Sequence, residues 1–302
     1  MLPGGERLTE AETLRVAVYA ETAAAEHAVT DPEGSPEQAA AAYLAEQATA
    51  YWLVPERHPI GEVGARVAAL AAQASAQDAI STIVVYGLPG RDCGNFSAGG
   101  LSGADYVTWT DEIGEAVRAS DVETIIALEP DSIALAEECG NLADRGIQLQ
   151  GAVTSLTAEN AAIYIDGGHS NWHSPDTMAG YIRTVGVIEN VRGFTTNVSN
   201  YNTDADEIAY AHALSRLLGD AHAIIDSGRN GAGSTGEWCN PPERRVGVAA
   251  GTVHDDVVDA NLWIKVPGES DGTCNGGPPA GDWWPEAAVE LTREVVAVSP
   301  RP

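Results

Sequence analysis

Seven short apolar runs in this chain each end in acids, amides, aromatics and glycines, and those ends are where chemistry would sit. In order the ends are Trp52; Tyr86 through Arg91-Asp92; Glu129-Pro130-Asp131; Asp166-Gly167-Gly168-His169; Asn197 through Asn200-Tyr201; Asp226 through Arg229-Asn230; and Lys265 through Glu269 and Asp271. One such cluster is a helix cap or a turn, whereas seven of them following seven apolar runs read as a functional rim. This rim is rich in carboxylates and aromatics and poor in cations. Phosphate esters would call for Arg and Lys clusters or a glycine-rich phosphate loop, and neither GxxxxGK nor a dinucleotide pattern follows any run. Neutral sugars fit better, because aromatic faces cover the apolar faces of pyranose rings while carboxylates and amides bind hydroxyls. Trp52, Trp172 and Trp238 stand at or near run ends or in loops, and Trp283-Trp284 follows. Trp263, inside a run, reads as core.

Cleaving a glycosidic bond needs one carboxyl that is protonated at working pH and one that is ionised, a division set by environments that push two pKa values apart. Asp131, behind apolar Ile125–Leu128 and Pro130, is placed for the desolvation that raises a carboxyl pKa. Asp92 and Asp271, on neighbouring rims, could supply the second charge. A metal-dependent hydrolase is the competing chemistry, since Asp166, His169 and His173 are closely spaced. Barrel metal sites, however, usually gather histidines from several strands, and the rest of this rim offers almost none. The two histidines read as hydrogen-bonding groups that shape the site, and neither a metal nor another cofactor is expected.

The elements that position these residues follow from the spacing. The runs Tyr51–Val54, Ile83–Tyr86, Ile125–Leu128, Ile163–Ile165, Phe194–Thr196, Ala223–Ile225 and Leu262–Val266 start roughly 30 to 40 residues apart, the length of a strand, a crossover helix and loops. Most are apolar at consecutive positions, as suits parallel strands covered on both faces. Between them lie helical patterns, such as the Ala-rich Val63–Ala76 and Tyr106, Trp109, Ile113 and Val117 behind a cap at Asp105. The fold class is therefore α/β, a barrel with its site at the strand C-terminal ends, ahead of an open doubly wound sheet. Residues 1–302 read as one domain, with an N-terminal helix or arm over 1–45 and the barrel over 46–302.

Composition narrows the partners. The 302 residues carry 44 acids against 16 bases, a formal net charge of −28, which repels phosphate backbones, and no basic stripe offsets it, so nucleic acid is excluded as a partner. No stretch approaches the roughly 20 uncharged apolar residues of a membrane span. Lys265 is the only Lys, and the acid excess without Lys reads as a salt-tolerant surface. Unfolding free energy is accordingly expected to hold or rise from low to molar NaCl in denaturant titrations; a steep loss would contradict salt adaptation. Cys93, Cys139, Cys239 and Cys274 form an even set without a CxxC pair, which favours two disulfides and an oxidising compartment over zinc. Residues 1–6 lack a charged and then apolar leader, so secretion would imply a leader already removed.

Taken together, Gly-Arg-Asp-Cys-Gly-Asn (90–95), Glu-Pro-Asp (129–131), Asp-Gly-Gly-His-Ser-Asn-Trp-His-Ser (166–174), Asn-Val-Ser-Asn-Tyr (197–201), Ser-Gly-Arg-Asn-Gly (227–231), Glu-Trp-Cys-Asn-Pro (237–241) and Leu-Trp-Ile-Lys-Val-Pro-Gly-Glu-Ser-Asp-Gly (262–272) resemble glycoside hydrolase family 6, the inverting cellulases. The resemblance runs in order from about Tyr51 to Leu291. It implies a distorted barrel of about seven parallel strands with a groove across its top. It further implies that Asp131 is the general acid and Asp92 the aspartate that supports its protonation and accepts a proton from the attacking water through a water chain, while Asp271 matches the residue proposed as direct base. By the same resemblance Tyr86 lies beneath a distorted sugar, Lys265 and Glu269 bind hydroxyls, and Trp52, Trp172 and Trp238 are sugar platforms. Arg91, Ser97, Asp166 and Asn200 follow as further substrate-site residues, and Cys93–Cys139 and Cys239–Cys274 as disulfides pinning rim loops. The short Cys239-to-Cys274 segment leaves little chain to roof the groove. The expected activity is endo-acting, inverting hydrolysis of β-1,4-glucan or cello-oligosaccharides by a secreted monomer. An exo-acting cellobiohydrolase, or a catalytically silent glucan-binding protein, are the alternatives.

Overall fold

The computed structural model describes residues 13–95, 97–252 and 254–296; the first twelve residues of the expected N-terminal arm lie outside the described residues. Among the described residues, seven strands pair in chain order in one parallel sheet: β1 (Tyr51–Leu53), β2 (Ser81–Val85), β3 (Thr124–Leu128), β4 (Ala161–Asp166), β5 (Gly193–Thr196), β6 (His222–Asp226) and β7 (Val258–Leu262). Consecutive apolar positions alternate between two cores, which is why the runs show no polar alternation. Ile83, Val85, Ile126, Leu128, Ile163, Ile165, Phe194 and Ile225 face the helical layer. Val84, Ile125, Ala127, Ala162, Tyr164, Ile224, Ala260 and Leu262 fill the concave side.

Between β1 and β6 each crossover carries a helix: α3 (Val63–Ala76), α4 (Gly103–Ala119), α5 (Leu142–Leu156), α6 (Pro175–Val185) and α7 (Asp204–Leu217), numbered after α1 (Ala23–Thr30) and α2 (Pro36–Ala45). The Ala-rich helix has the bounds its sequence suggests. The cap of α4 is Ser102, not Asp105: Ser102 Oγ accepts from the Asp105 amide at 3.3 Å and donates to its carboxylate at 2.7 Å, so Asp105 sits in the first turn of the helix. The connection from β6 to β7 has no α-helix among its described residues and carries Arg229, Trp238 and Asn240 instead.

The last strand lies earlier than the run Leu262–Val266 suggests. Val258–Leu262 contains Asp259 and Asn261, which read as polar interruptions. Their partners come from elsewhere in the fold: Asp259 accepts from Tyr164 (2.5 Å) and pairs with Arg192 (2.6 Å), and Asn261 donates to Asp204 (2.8 Å). This frees Trp263 to leave the sheet and pack, 2% exposed, among α1, α2 and α8 (Pro285–Thr292). β1 and β7 share no ladder. Ala50 N–H donates to Trp263 O (2.9 Å) and Trp52 Nε1 to Ile264 O (2.7 Å), so the curled sheet nearly meets itself. Residues 13–17 cross the seam beneath, bridging Ile80 just before β2 and Thr252, whose carbonyl accepts from the Asn261 amide of β7.

Candidate active site

Three buried carboxylates at strand ends fix the rim from below. Glu129, at the end of β3, accepts from the amides of Gly87 (2.8 Å) and Leu88 (3.3 Å), tying the end of β2 to its own strand. Asp166, at the end of β4, accepts from Ile133 (2.9 Å), Ala134 (2.8 Å) and Gly168 (2.9 Å). Asp226, at the end of β6, accepts from Ser199, Gly228, Ile264 and Lys265 at 2.9–3.1 Å. Each satisfies loop amides that would otherwise be buried without partners. Burial moves the Glu129 carboxyl up to about 7 against the pull of those amides and Arg91. Glu129, Asp131, Asp92, Cys93, Asn197 and Ser199 all hold positive φ, so non-glycine residues in the left-handed region gather where the chain leaves the sheet.

Above these staples lies a groove of about 1040 Å³. It brings together Asp92, Asp131, Asp271, Tyr86, Lys265, Glu269, Trp52, Trp172, Trp238, Arg91, Ser97 and Asn200 from far-separated segments. Asp166 is not among its walls: it is 2% exposed and its oxygens are taken up by amides. The structure thus corrects the expectation that Asp166 touches substrate, because the turn of Asp131 folds back over it.

The three groove aspartates have different surroundings. Half-buried Asp131 is pushed well above the usual carboxylate range by burial and then by the charges of Asp166, Asp92 and Asp271. Asp92 Oδ1 accepts from Tyr86 Oη at 2.7 Å. Arg91 holds that corner, donating to Tyr86 O (2.7 Å) and Ser97 O (2.8 Å), pairing with Glu56 (3.1 Å) and lying 4.6 Å over the Tyr86 ring. Burial alone would raise Asp271, but Arg229 and Lys265 outweigh it and hold the carboxyl below its ordinary value. Arg229 grips both oxygens (2.9 and 3.0 Å), and Tyr201 Oη and the Asn240 amide add bonds at 3.0 Å. Arg229, Tyr201 and Asn240 are the residues that sequence reasoning passed over. They stand inside quoted motifs, but nothing in their spacing says that they converge on Asp271.

The remaining walls suit a polyol. Trp52 meets the Tyr86 ring edge-on at 5.1 Å, Trp172 stacks on His173 at 5.5 Å, and Trp238 is 52% exposed. Buried Lys265 donates to Ser270 O at 3.1 Å; burial lowers the amine, and Asp271 and Glu269 oppose this. His169 Nδ1 accepts from the Asn171 amide (3.2 Å) and lies 3.0 Å from Asn202 Nδ2. The proton therefore sits on Nε2, and burial holds the ring near pKa 4, neutral. His173 Nε2 lies 2.9 Å from Ala134 O. Asp166, His169 through Nδ1 and His173 through Nε2 thus each bond protein partners.

Both disulfides join rim loops. Cys93–Cys139 ties the loop after Asp92 to the segment after Asp131, and Cys239–Cys274 ties Trp238 to the loop of Asp271. No helix among the described residues is long and apolar enough to cross a membrane.

The chain is similar to known proteins in sequence and fold. The pattern of glycosyl hydrolases family 6 matches residues 10–295. Endoglucanase A of Cellulomonas fimi is 44% identical over 245 residues, covering 81% of this chain and 54% of that protein. Endoglucanase 1 of Streptomyces sp. (strain KSM-9) is 40% identical over 257 residues, covering 82% and 70%. The chain thus spans about half the length of the first relative. Among solved structures, the endoglucanase Cel6 from Mycobacterium tuberculosis, in complex with methyl-cellobiosyl-4-deoxy-4-thio-β-D-cellobioside, superposes with a TM-score of 0.85 at 36% identity, over 93% of this chain and 97% of that one.

Proposed function

The chain belongs to glycosyl hydrolases family 6, and from that premise we propose that it hydrolyses internal β-1,4-glucosidic bonds of cellulose or related β-glucans with inversion at the anomeric carbon. One observation carries the reading: two aspartates on one groove are driven in opposite directions, Asp131 toward the acid and Asp271 toward the carboxylate. That is the division of labour glycosidic cleavage requires. Asp131 gives its proton to the inter-sugar oxygen as the bond from that oxygen to the anomeric carbon breaks. Water attacks the anomeric carbon from the opposite face. Asp271, clamped by a guanidinium, is a weak base whose fixed charge stabilises the cationic sugar. Asp92, with one oxygen bound to Tyr86, takes the proton of the attacking water through a further water.

The Mycobacterium tuberculosis endoglucanase carries a thio-linked cello-oligosaccharide analogue, which supports a β-1,4-glucan chain as occupant of the groove here. Trp52, Trp172 and Trp238 serve as its platforms, and Lys265, Glu269, Asn200 and His169 Nε2–H as hydroxyl partners. The exposed Trp238 and the 35-residue separation of Cys239 and Cys274 support an unroofed groove and internal attack. The two disulfides support release into an oxidising exterior.

Proton NMR of a cello-oligosaccharide digest tests the reading. The first product ends are expected in the α configuration, with internal bonds cleaved. Viscosity of soluble cellulose derivatives is expected to fall early relative to reducing-end release. New ends appearing first as β, or cellobiose as the sole early product, would overturn it.

A further inference from the structure

Behind Asp271, on the side away from the groove, lies a second pocket of about 350 Å³ between the Cys239–Cys274 loops and α8. This is at the lower end of the size that holds small molecules. Partly exposed Trp284 lies against it, with Asn275, Glu286 and Arg244 around it. Its charged lining is three acids (Glu269, Glu286, Glu290) against two arginines (Arg229, Arg244), and Arg229 is already neutralised by Asp271. An anionic ligand would meet net negative charge there. An aromatic face beside carboxylate, amide and guanidinium groups suits a neutral polyol, the chemistry of the groove itself.

We propose that this pocket is a second carbohydrate site, taking a glucose unit of a β-glucan chain against Trp284. The ligand class rests on reading the groove as a glucan site. Arg229 and Tyr201 stand between the pocket and Asp271, while Glu269 lines both the pocket and the groove. The first two line the pocket and bond Asp271 on their other side (Arg229 at 2.9–3.0 Å, Tyr201 at 3.0 Å). An occupant would press on Arg229, Tyr201 and Asn240, all of which line the pocket and bond Asp271, which couples a second bound chain to the charge in the groove.

The test uses the full chain with Asp131→Asn, so that the probe, cellotetraose, is not consumed, and follows the tryptophan indole N–H signals by NMR during titration. Two saturable events are expected. A tighter one moves the groove indoles of Trp52, Trp172 and Trp238, and one at least about 10-fold weaker moves Trp284. Adding Trp284→Ala, or Ala287→Leu, which fills the pocket and keeps the indole, is expected to weaken the second event at least 10-fold and leave the first within two-fold. Steady-state turnover of short cello-oligosaccharides by the Trp284→Ala enzyme with Asp131 intact is expected to be unchanged at concentrations that leave the pocket empty. If the groove indoles respond and Trp284 does not, or both variants keep the second event, the pocket proposal fails and the glucan reading survives. If no indole responds, both fail.

Discussion

Asp131→Asn is expected to lower kcat on unactivated β-glucan by about 10²–10⁴-fold while leaving oligosaccharide affinity within about two-fold. Asn has the shape of Asp and none of its transferable proton, so the groove keeps its form and the leaving oxygen departs unassisted. With a substrate whose leaving group is a good one, such as a dinitrophenyl glycoside, the loss should shrink, because that oxygen needs no proton. The pH profile gives a second readout. Asp131 must be protonated to act, and burial with three neighbouring aspartates raises its carboxyl, so activity falls on the alkaline side as that raised group ionises. The Asn variant should lose this limb. Stability should move the other way. A carboxyl raised in the folded state stabilises most below its unfolded pKa and loses that contribution as pH rises through the folded value. Removing it should therefore leave the protein at neutral pH as stable as the parent or more so, as expected where an active site holds like charges together. Normal cellulose hydrolysis by this variant would remove Asp131 from the mechanism.

Arg229→Met is expected to cost about 3–5 kcal/mol of unfolding free energy near neutral pH, because it removes the cation bonded to both oxygens of the buried Asp271 carboxylate and leaves only the charge of Lys265 nearby. In the parent, Asp271 is depressed, so its contribution is present above the unfolded pKa and lost as pH falls through the folded value. In the variant the penalty should be greatest at neutral pH and should shrink on acidification, as Asp271 takes up a proton. The acid limb of the rate profile should move up by the same cause. Denaturant titrations near pH 4 and pH 7.5 read the first effect. A double-mutant cycle with Asp271→Asn isolates the pair: the double variant should be more stable than Arg229→Met alone. Equal stabilities of the two would show that the guanidinium is not what holds Asp271 ionised.

Much of the scaffold was legible from the chain because a parallel strand covered on both faces must be apolar at successive positions, and helices must show their own period. Six strands and α3 stand where those rules put them. The seventh shows the limit. Asp259 and Asn261 argue against a strand until Tyr164, Arg192 and Asp204 arrive from other elements to satisfy them, after which the strand is Val258–Leu262 and Trp263 turns into the helical layer. In the same way the sequence singled out Asp92, Asp131 and Asp271 by residue type and place after a strand, since chemistry at a barrel rim needs carboxyls there. It placed Asp131 as the desolvated acid, but it could not show what holds Asp271 ionised or that Asp166 serves amides rather than sugar. Three side chains of one type become an acid, a fixed charge and a backbone staple only through their neighbours. Those neighbours, Arg229 for Asp271 and the amides of Ile133 and Ala134 for Asp166, lie 42, 33 and 32 positions away in the chain. Electrostatic fate depends on distance through space, and only the folded sheet sets that distance.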